Sequence, residues 1–213
     1  MTSGQGFQLS PDILLGAYAR GIFPMAESRE APELFWLSPE ERGTFPIGGF
    51  HISRSLKRRL QSDQFTYSVD TAFSAVVRLC ADREETWIND ELFALYDALH
   101  AQGDAHSVEI WEGDALVGGV FGLRIGGAFF GESMFSRRTD ASKAALAVLH
   151  HYLQQGGFAL FDTQFLTSHL ASLGAVEIAR DAYLARLAVA ITLPAIFPAK
   201  TQKRHPTAAL FQG

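Results

Sequence analysis

A single cysteine, Cys80, in a chain of 213 residues leaves no partner for an internal disulfide, which fits a reducing cytoplasm. It lies with Val76, Val77 and Leu79 in a helical apolar pattern and reads as a small buried hydrophobe rather than a reactive thiol. Long hydrophobic runs are missing too: none reaches the roughly 20 residues a membrane span requires. The opening residues, Met1 to Gln8, lack the basic-then-apolar order of a signal peptide, so none is expected. Positive charge is short, with 18 Lys and Arg against 23 Asp and Glu, which argues against a protein that coats nucleic acid. No metal-ligand pattern is visible. His51, His100 and His169 are scattered, and tandem His150-His151 on a helix is a poor pair because helical ligands sit three or four apart. No metal site and no cofactor are expected. Gly118-Gly119-Val120-Phe121-Gly122 is not a dinucleotide fingerprint, since it lies inside a strand with no helix opening after it; a bulge or close backbone approach is the better reading.

What remains is an ordinary folded composition, 47% apolar and 19% charged. Ser10-Pro11 opens a helix that Gly21 closes. Short extended pieces such as 34–37 follow in a segment rich in Pro, Glu and Gly. Arg54, Lys57, Arg58 and Arg59 then place four cations within six residues on a short helix ending near Gln61, either a contact for one local partner or a solvated face. Residues 1–62 read as a small N-terminal α/β domain leaning on a second, 63–213.

In the second unit, 65–69 alternates as a strand, Asp70 is expected to cap a helix running to about Ala81, and Asn89 caps another closed by Gly103. Strands 106–112, 115–125 and 128–136 follow, with turn signals at Glu112-Gly113-Asp114 and Gly126-Gly127. A long helix (140–154), a strand (158–162), a helical stretch (166–173) and a last helix (181–191) complete the unit. The tail from Pro194 has weak signals and is expected to be loosely ordered. The order of a meander, a helix and then an inserted strand predicts an α+β, acetyltransferase-like (GNAT-type) fold with a mixed, mainly antiparallel sheet. An acyl-CoA enzyme of that fold needs a glycine-bearing loop before the long helix to hold pyrophosphate. Here that loop is Arg137-Arg138-Thr139-Asp140-Ala141-Ser142-Lys143, without glycine and with an acid where phosphate would lie.

Two strands deliver carboxylates. Period two places Phe130, Glu132 and Met134 on one face, and Asp162 and Gln164 together on another. A carboxylate and an amide aimed into one cavity can take a proton and orient a carbonyl. The plainer alternatives are a helix-capping Asp162 and a Glu132 ion-paired to Arg137, Arg138 or Lys143. In the stretch 106–109, neighbours His106 and Ser107 face opposite sides and cannot be catalytic partners.

Several segments, in order, resemble the leucyl/phenylalanyl-tRNA–protein transferase family. They are 14–25 (LLGAYARGIFPM), 36–39 (WLSP), 50–56 (FHISRSL), 86–88 (TWI), 106–109 (HSVE), 116–119 (LVGG), 131–136 (GESMFS), 140–143 (DASK), 162–164 (DTQ) and 169–175 (HLASLGA). The resemblance covers about Ser10 to Leu187. It implies a cytoplasmic aminoacyltransferase that moves Leu or Phe, and less readily Met, from aminoacyl-tRNA to the α-amino group of proteins beginning with Arg or Lys, creating an N-end rule degradation signal. It implies that Asp162 sits near the amine, that Gln164 orients the reacting groups and that Glu132 supports this centre. The side-chain pocket would comprise Val120, Phe129, Met134, Leu149 and Phe161, each also readable as plain core. Terminal adenosine would stack near Tyr18, Phe23, Trp36 or Trp87. The basic stripe at 54–59 would meet acceptor-stem phosphates. Val120, Leu149 and Met25 depart from bulkier residues of some relatives, which bears on pocket size and base stacking, and a longer N-terminal extension of many relatives is lacking. A monomer is expected. A CoA-dependent N-acyltransferase of the same fold and a non-catalytic binder of protein N-termini or tRNA ends are the competing readings.

Overall fold

The computed structural model describes residues 9–212; the signal-peptide expectation for Met1 to Gln8 falls outside them. Helix α1 (Pro11–Tyr18) is capped by Ser10, whose Oγ accepts from the Ile13 N–H at 3.4 Å. Gly21, at φ 77°, then turns the chain into β1 (Phe23–Ala26), which pairs antiparallel with β2 (Leu34–Leu37). After these come β3 (Glu41–Phe45), α2 (Arg54–Leu60), β4 (Thr66–Val69), α3 (Phe73–Ala81) and α4 (Asp90–Gln102). The meander β5 (Ala105–Glu112), β6 (Ala115–Ile125) and β7 (Ala128–Ser136) leads into α5 (Ala141–Gln155). The chain ends with β8 (Leu160–Gln164), α6 (Ser168–Ser172), β9 (Val176–Ala179), α7 (Arg180–Ala190) and β10 (His205–Pro206).

One eight-stranded sheet, in the order β10-β4-β5-β6-β7-β8-β3-β9, organises the molecule. Only the β7–β8 pair is parallel, because α5 crosses over between them. This is the mixed, mainly antiparallel sheet expected from the sequence. It also takes in β3, which lies between β8 and β9 although it precedes them by more than a hundred residues. Each face of the sheet buries its own core. On one, Phe129, Phe161 and Leu149 pack with the small residues of α5 and with Leu56 and Leu60 of α2. On the other, Phe121, Phe130 and Tyr96 pack with α1, α3, α4 and α7. Small residues let α5 approach closely: a Cβ on Gly118 would lie 2.6 Å from the Ala141 Cβ.

Asp70 does not cap α3. It sits at φ 57°, and its carboxylate meets His106 Nδ1 at 2.8 Å and the Ser107 N–H at 2.7 Å. Ser107 turns to the other side and donates to Glu109, a fully buried acid that also accepts from the Ser68 hydroxyl. Cys80 is buried, and burial pushes its thiol up to about 12. The tail beyond Pro194 is packed rather than loose. Phe197 stacks on His106 with ring centroids 4.1 Å apart, β10 pairs with β4, and the buried Thr207 hydroxyl donates to Leu60 O at 2.7 Å. Its signals are weak because its partners are spread over distant elements rather than repeated at a helical or strand period.

Candidate functional site

The site lies where the sheet splits. Strands β7 and β8 pair only from Ala128–Leu160 to Phe130–Asp162. Just past that point each carries a bulge. Gly122 pairs with Gly131 and Phe121 with Ser133, so Glu132 is the extra residue of β7. Gly43 pairs with Gln164 and Thr44 with Asp162, so Thr163 is the extra residue of β8. Bulges re-aim side chains and end pairing. Here they open a cavity of about 290 Å³ whose walls include Val120, Met134, Phe161, Leu146 and Leu170 and whose polar lining residues include Glu132, Thr163 and Gln164, the Thr163 hydroxyl oxygen itself being buried.

These bulges overturn the alternation read from sequence. Phe130 and Met134 belong to opposite cores, with Glu132 between them. Gln164 takes φ 57°, so it does not share a face with Asp162. Asp162 is fully buried and points away from the cavity. Its carboxylate accepts two hydrogen bonds from Arg42, at 2.9 Å from Nε and 2.7 Å from Nη2, and one from the Tyr183 hydroxyl at 2.7 Å. A fourth comes from the Gln164 N–H at 2.8 Å, which holds that residue in the left-handed region. Arg42 is 1% exposed and lies between the rings of Phe23 and Tyr183, 4.6 and 4.5 Å from their centroids. Burial works against its charge, but Asp162 more than offsets this and raises its pKa. Helix-capping by Asp162 is therefore excluded.

Gln164 Nε2 donates to Glu132 Oε1 at 3.2 Å, and the Tyr96 hydroxyl donates to Oε2 at 3.0 Å. Tyr18 Oη belongs to the same buried cluster, without a hydrogen bond of good geometry. Burial pushes Glu132 up to about 7, and the tyrosine hydroxyls restrain the rise. The cations proposed as its ion-pair partners are engaged elsewhere: Arg137 with Asp82, Arg138 with Glu112 at 2.9 Å, and Lys143 with Asp140 at 2.8 Å.

Of the expected side-chain pocket, Val120, Met134 and Phe161 line the cavity, while Phe129 and Leu149 lie in the core beneath. Leu146, three residues before Leu149 on α5, takes the lining position. Of the expected aromatic platforms, Phe23 and Trp87 line the cavity. Tyr18 is fully buried, edge-on to Phe130 at 5.1 Å, and offers no free face for a base. Trp36 is 42% exposed on the β1–β2 hairpin, outside the lining. Arg54, Lys57 and Arg58 are exposed on α2, while Arg59 bonds Gln64 and packs over Phe65. Sequence reading missed Arg42, Tyr183, Tyr96, Thr163 and Arg83. Arg83 lines the cavity and donates to Ser133 Oγ at 3.0 Å. Among the described residues no group of three or more His, Cys, Asp or Glu could hold a metal ion, and no helix is long and apolar enough to cross a membrane.

Comparison with known proteins gives this site its context. The crystal structure of FemX superposes on the chain with a TM-score of 0.50 at 12% identity, covering 79% of this chain and 66% of that one, a likeness of fold. Three curated leucyl/phenylalanyl-tRNA–protein transferases are far nearer in sequence. That of Roseobacter denitrificans is 60% identical over 89% of this chain and 90% of its own. That of Cereibacter sphaeroides is 63% identical over 86% of each, and that of Ruegeria sp. 61% identical over 89% and 90%. The family model described as leucyl/phenylalanyl-tRNA protein transferase matches residues 44–188, and that of its N-terminal domain matches residues 7–40. With nearly the whole chain matched, from α1 to α7 and through both bulged strands, it belongs to the leucyl/phenylalanyl-tRNA–protein transferase family.

Proposed function

We propose that this chain transfers leucine or phenylalanine, and methionine less readily, from aminoacyl-tRNA to the N-terminal α-amino group of proteins beginning with Arg or Lys. The product carries an N-end rule degradation signal. The observation that carries this reading to the site is the split between β7 and β8: an apolar cavity that ends at a paired carboxylate and amide, Glu132 and Gln164. Val120, Met134, Phe161, Leu146 and Leu170 suit an aliphatic or aromatic side chain of the donor. The acceptor amine attacks the ester carbonyl carbon, an N–C bond forms, and the C–O bond to the ribose breaks. The amine loses a proton and the ribose oxygen gains one. An ester is already activated, so positioning supplies much of the rate.

In this reading Gln164 and Glu132 face the reacting groups. Asp162 acts through Gln164 as a positioning residue, since its oxygens are taken up by Arg42, Tyr183 and the Gln164 N–H. Phe23 and Trp87 are the platforms for the terminal adenosine, and Arg54, Lys57, Arg58 and Arg59 meet acceptor-stem phosphates. The architecture is GNAT-type, with α5 crossing between the two strands that split. A CoA-dependent alternative is disfavoured by the approach to α5, where Asp140 stands paired to Lys143 in place of a glycine turn. The enzyme acts in the cytoplasm as a monomer, in keeping with its one buried cysteine. Incubating the protein with Phe-tRNA carrying labelled Phe and an Arg-initiated peptide tests the proposal. Label should enter that peptide and not an Ala-initiated one; no transfer from either Phe-tRNA or Leu-tRNA would overturn it.

A further inference from the structure

Arg83 is the one cation among the described residues that line the cavity. It follows α3 closely, and its side chain doubles back to the helix end, where Nε donates to Cys80 O at 2.8 Å. Nη2 donates to Ser133 Oγ at 3.0 Å and to Met134 O at 3.3 Å, on β7 just past the bulged Glu132. Three neutral acceptors on two elements thus fix the guanidinium, while the residue stays exposed and Nη1 has no partner among the described residues. None of these acceptors offsets its charge. No carboxylate among the described residues forms an ion pair with Arg83: its neighbour Asp82 pairs with Arg137, and Glu132 bonds Gln164 and Tyr96. An unpaired arginine waving in water needs no explanation. One pinned at a cavity wall has already given up its side-chain freedom, and it holds a charged donor fork in place for an anion.

The two substrates of the proposed reaction, on which this inference rests, carry opposite charge. The acceptor begins with Arg or Lys, so Arg83 repels it, and its amine suits the oxygens of Glu132 and Gln164. The donor is a polyanion. Its leucyl or phenylalanyl side chain fits the apolar end of the cavity, and its terminal base has Phe23 and Trp87 as platforms. Trp87 stands four residues after Arg83 on the same connection between α3 and α4. The terminal nucleotide brings one phosphodiester, on its 5′ side, one ribose away from both the ester and the base. We infer that Arg83 binds this phosphodiester and so holds the aminoacyl end of the donor in the cavity. Its role differs from that of the α2 cations, which lie outside the cavity and meet the stem.

The test measures initial rates to an Arg-initiated peptide from two small donors: the phenylalanyl ester of adenosine, and the same ester with a methyl phosphodiester on its 5′ carbon. In the wild type the phosphodiester should lower donor KM about tenfold at 50 mM salt, as a hydrogen bond to a charged group does, and the gain should shrink at 300 mM. Arg83→Gln should raise KM about tenfold for the phosphodiester donor and for Phe-tRNA, with kcat within about twofold, the sign of a binding contact. It should move KM for the plain ester far less. Arg83→Lys keeps the charge without the fork and should recover part of the difference. Equal KM for the two donors in the wild type would overturn the assignment, and this arm stands even if Arg83→Gln fails to melt cooperatively. Wild-type KM for Phe-tRNA in folded Arg83→Gln would overturn it as well. So would equal losses with both small donors, because Arg83 would then only hold β7 against α3. A change confined to KM for the peptide would place the cation on the acceptor side and overturn it too. A wild-type protein inactive with Phe-tRNA and Leu-tRNA would overturn the transferase reading itself, and this assignment with it.

Discussion

At Glu132 a carboxylate is held in a place that resists its charge, with part of its surface open to the cavity and hydroxyls restraining the penalty. Its pKa of about 7 stands above the ordinary carboxylate value, so between about pH 4.5 and 7 the folded protein holds a proton that the unfolded chain has released. The folded state then binds more protons, and stability must fall as pH rises through that window. Glu132→Gln removes the group that titrates. Its melting temperature minus that of wild type should grow more positive from pH 5 to pH 8, and a difference independent of pH would count against the raised value. The clamp on Asp162 makes a second prediction. Tyr183→Phe keeps the ring beneath Arg42 and removes one hydrogen bond to Asp162, so urea unfolding should show a loss of about 1 kcal/mol. Arg42→Met leaves a buried carboxylate without its counter-charge, and the loss should reach about 3–5 kcal/mol.

Among the elements, β6 and β7 carry the feature on which the site depends, the bulge that re-aims Glu132. A Cβ on Gly122 would lie 2.2 Å from Phe130 O and 2.6 Å from the Phe129 ring, so the strands close up only because position 122 is bare. Gly122→Ala should destabilise by at least about 1–3 kcal/mol, as overpacking does, and should lower transfer beyond what the lost stability explains. Denaturant unfolding and initial rates on the folded fraction read the two effects separately. The meander and α5 were legible in the sequence because their signals are local: alternating strands, Gly113 and Gly126 in turns, and an Ala-rich helix. Bulges are not local. Nothing in the order of residues 129–136 says that Glu132 is the unpaired one; that follows from its register with β6. Likewise β3 reads as an irregular extended stretch, since its partners β8 and β9 arrive more than a hundred residues later, and Arg42 showed no role until Asp162 was placed beside it. Tyr18 reads as an exposed aromatic only while α1 is considered alone, before α4 and Phe130 cover it.

For the molecule as a whole, the balance of charge sets how a tRNA could be held. The net charge is −5, so the protein at large repels a polyanion, and attraction must come from a place where cations concentrate. Helix α2 is such a place: Leu56 and Leu60 bury its inner side, while Arg54, Lys57 and Arg58 stand in solvent. If these side chains neutralise phosphates, each contact releases counterions and adds close to one unit to the slope of log affinity against log salt. Arg54→Ala and Arg58→Ala should therefore each weaken Phe-tRNA binding at 50 mM salt and flatten that slope by about 1, with the double variant flattening it by about 2. Transfer measured with saturating Phe-tRNA should keep its kcat, since α2 contributes no side chain to the cavity. A fluorescence anisotropy titration with Phe-tRNA between 50 and 300 mM salt checks both variants. Unchanged slopes would remove α2 from the tRNA-binding surface and return its cations to the role of a solvated helix face.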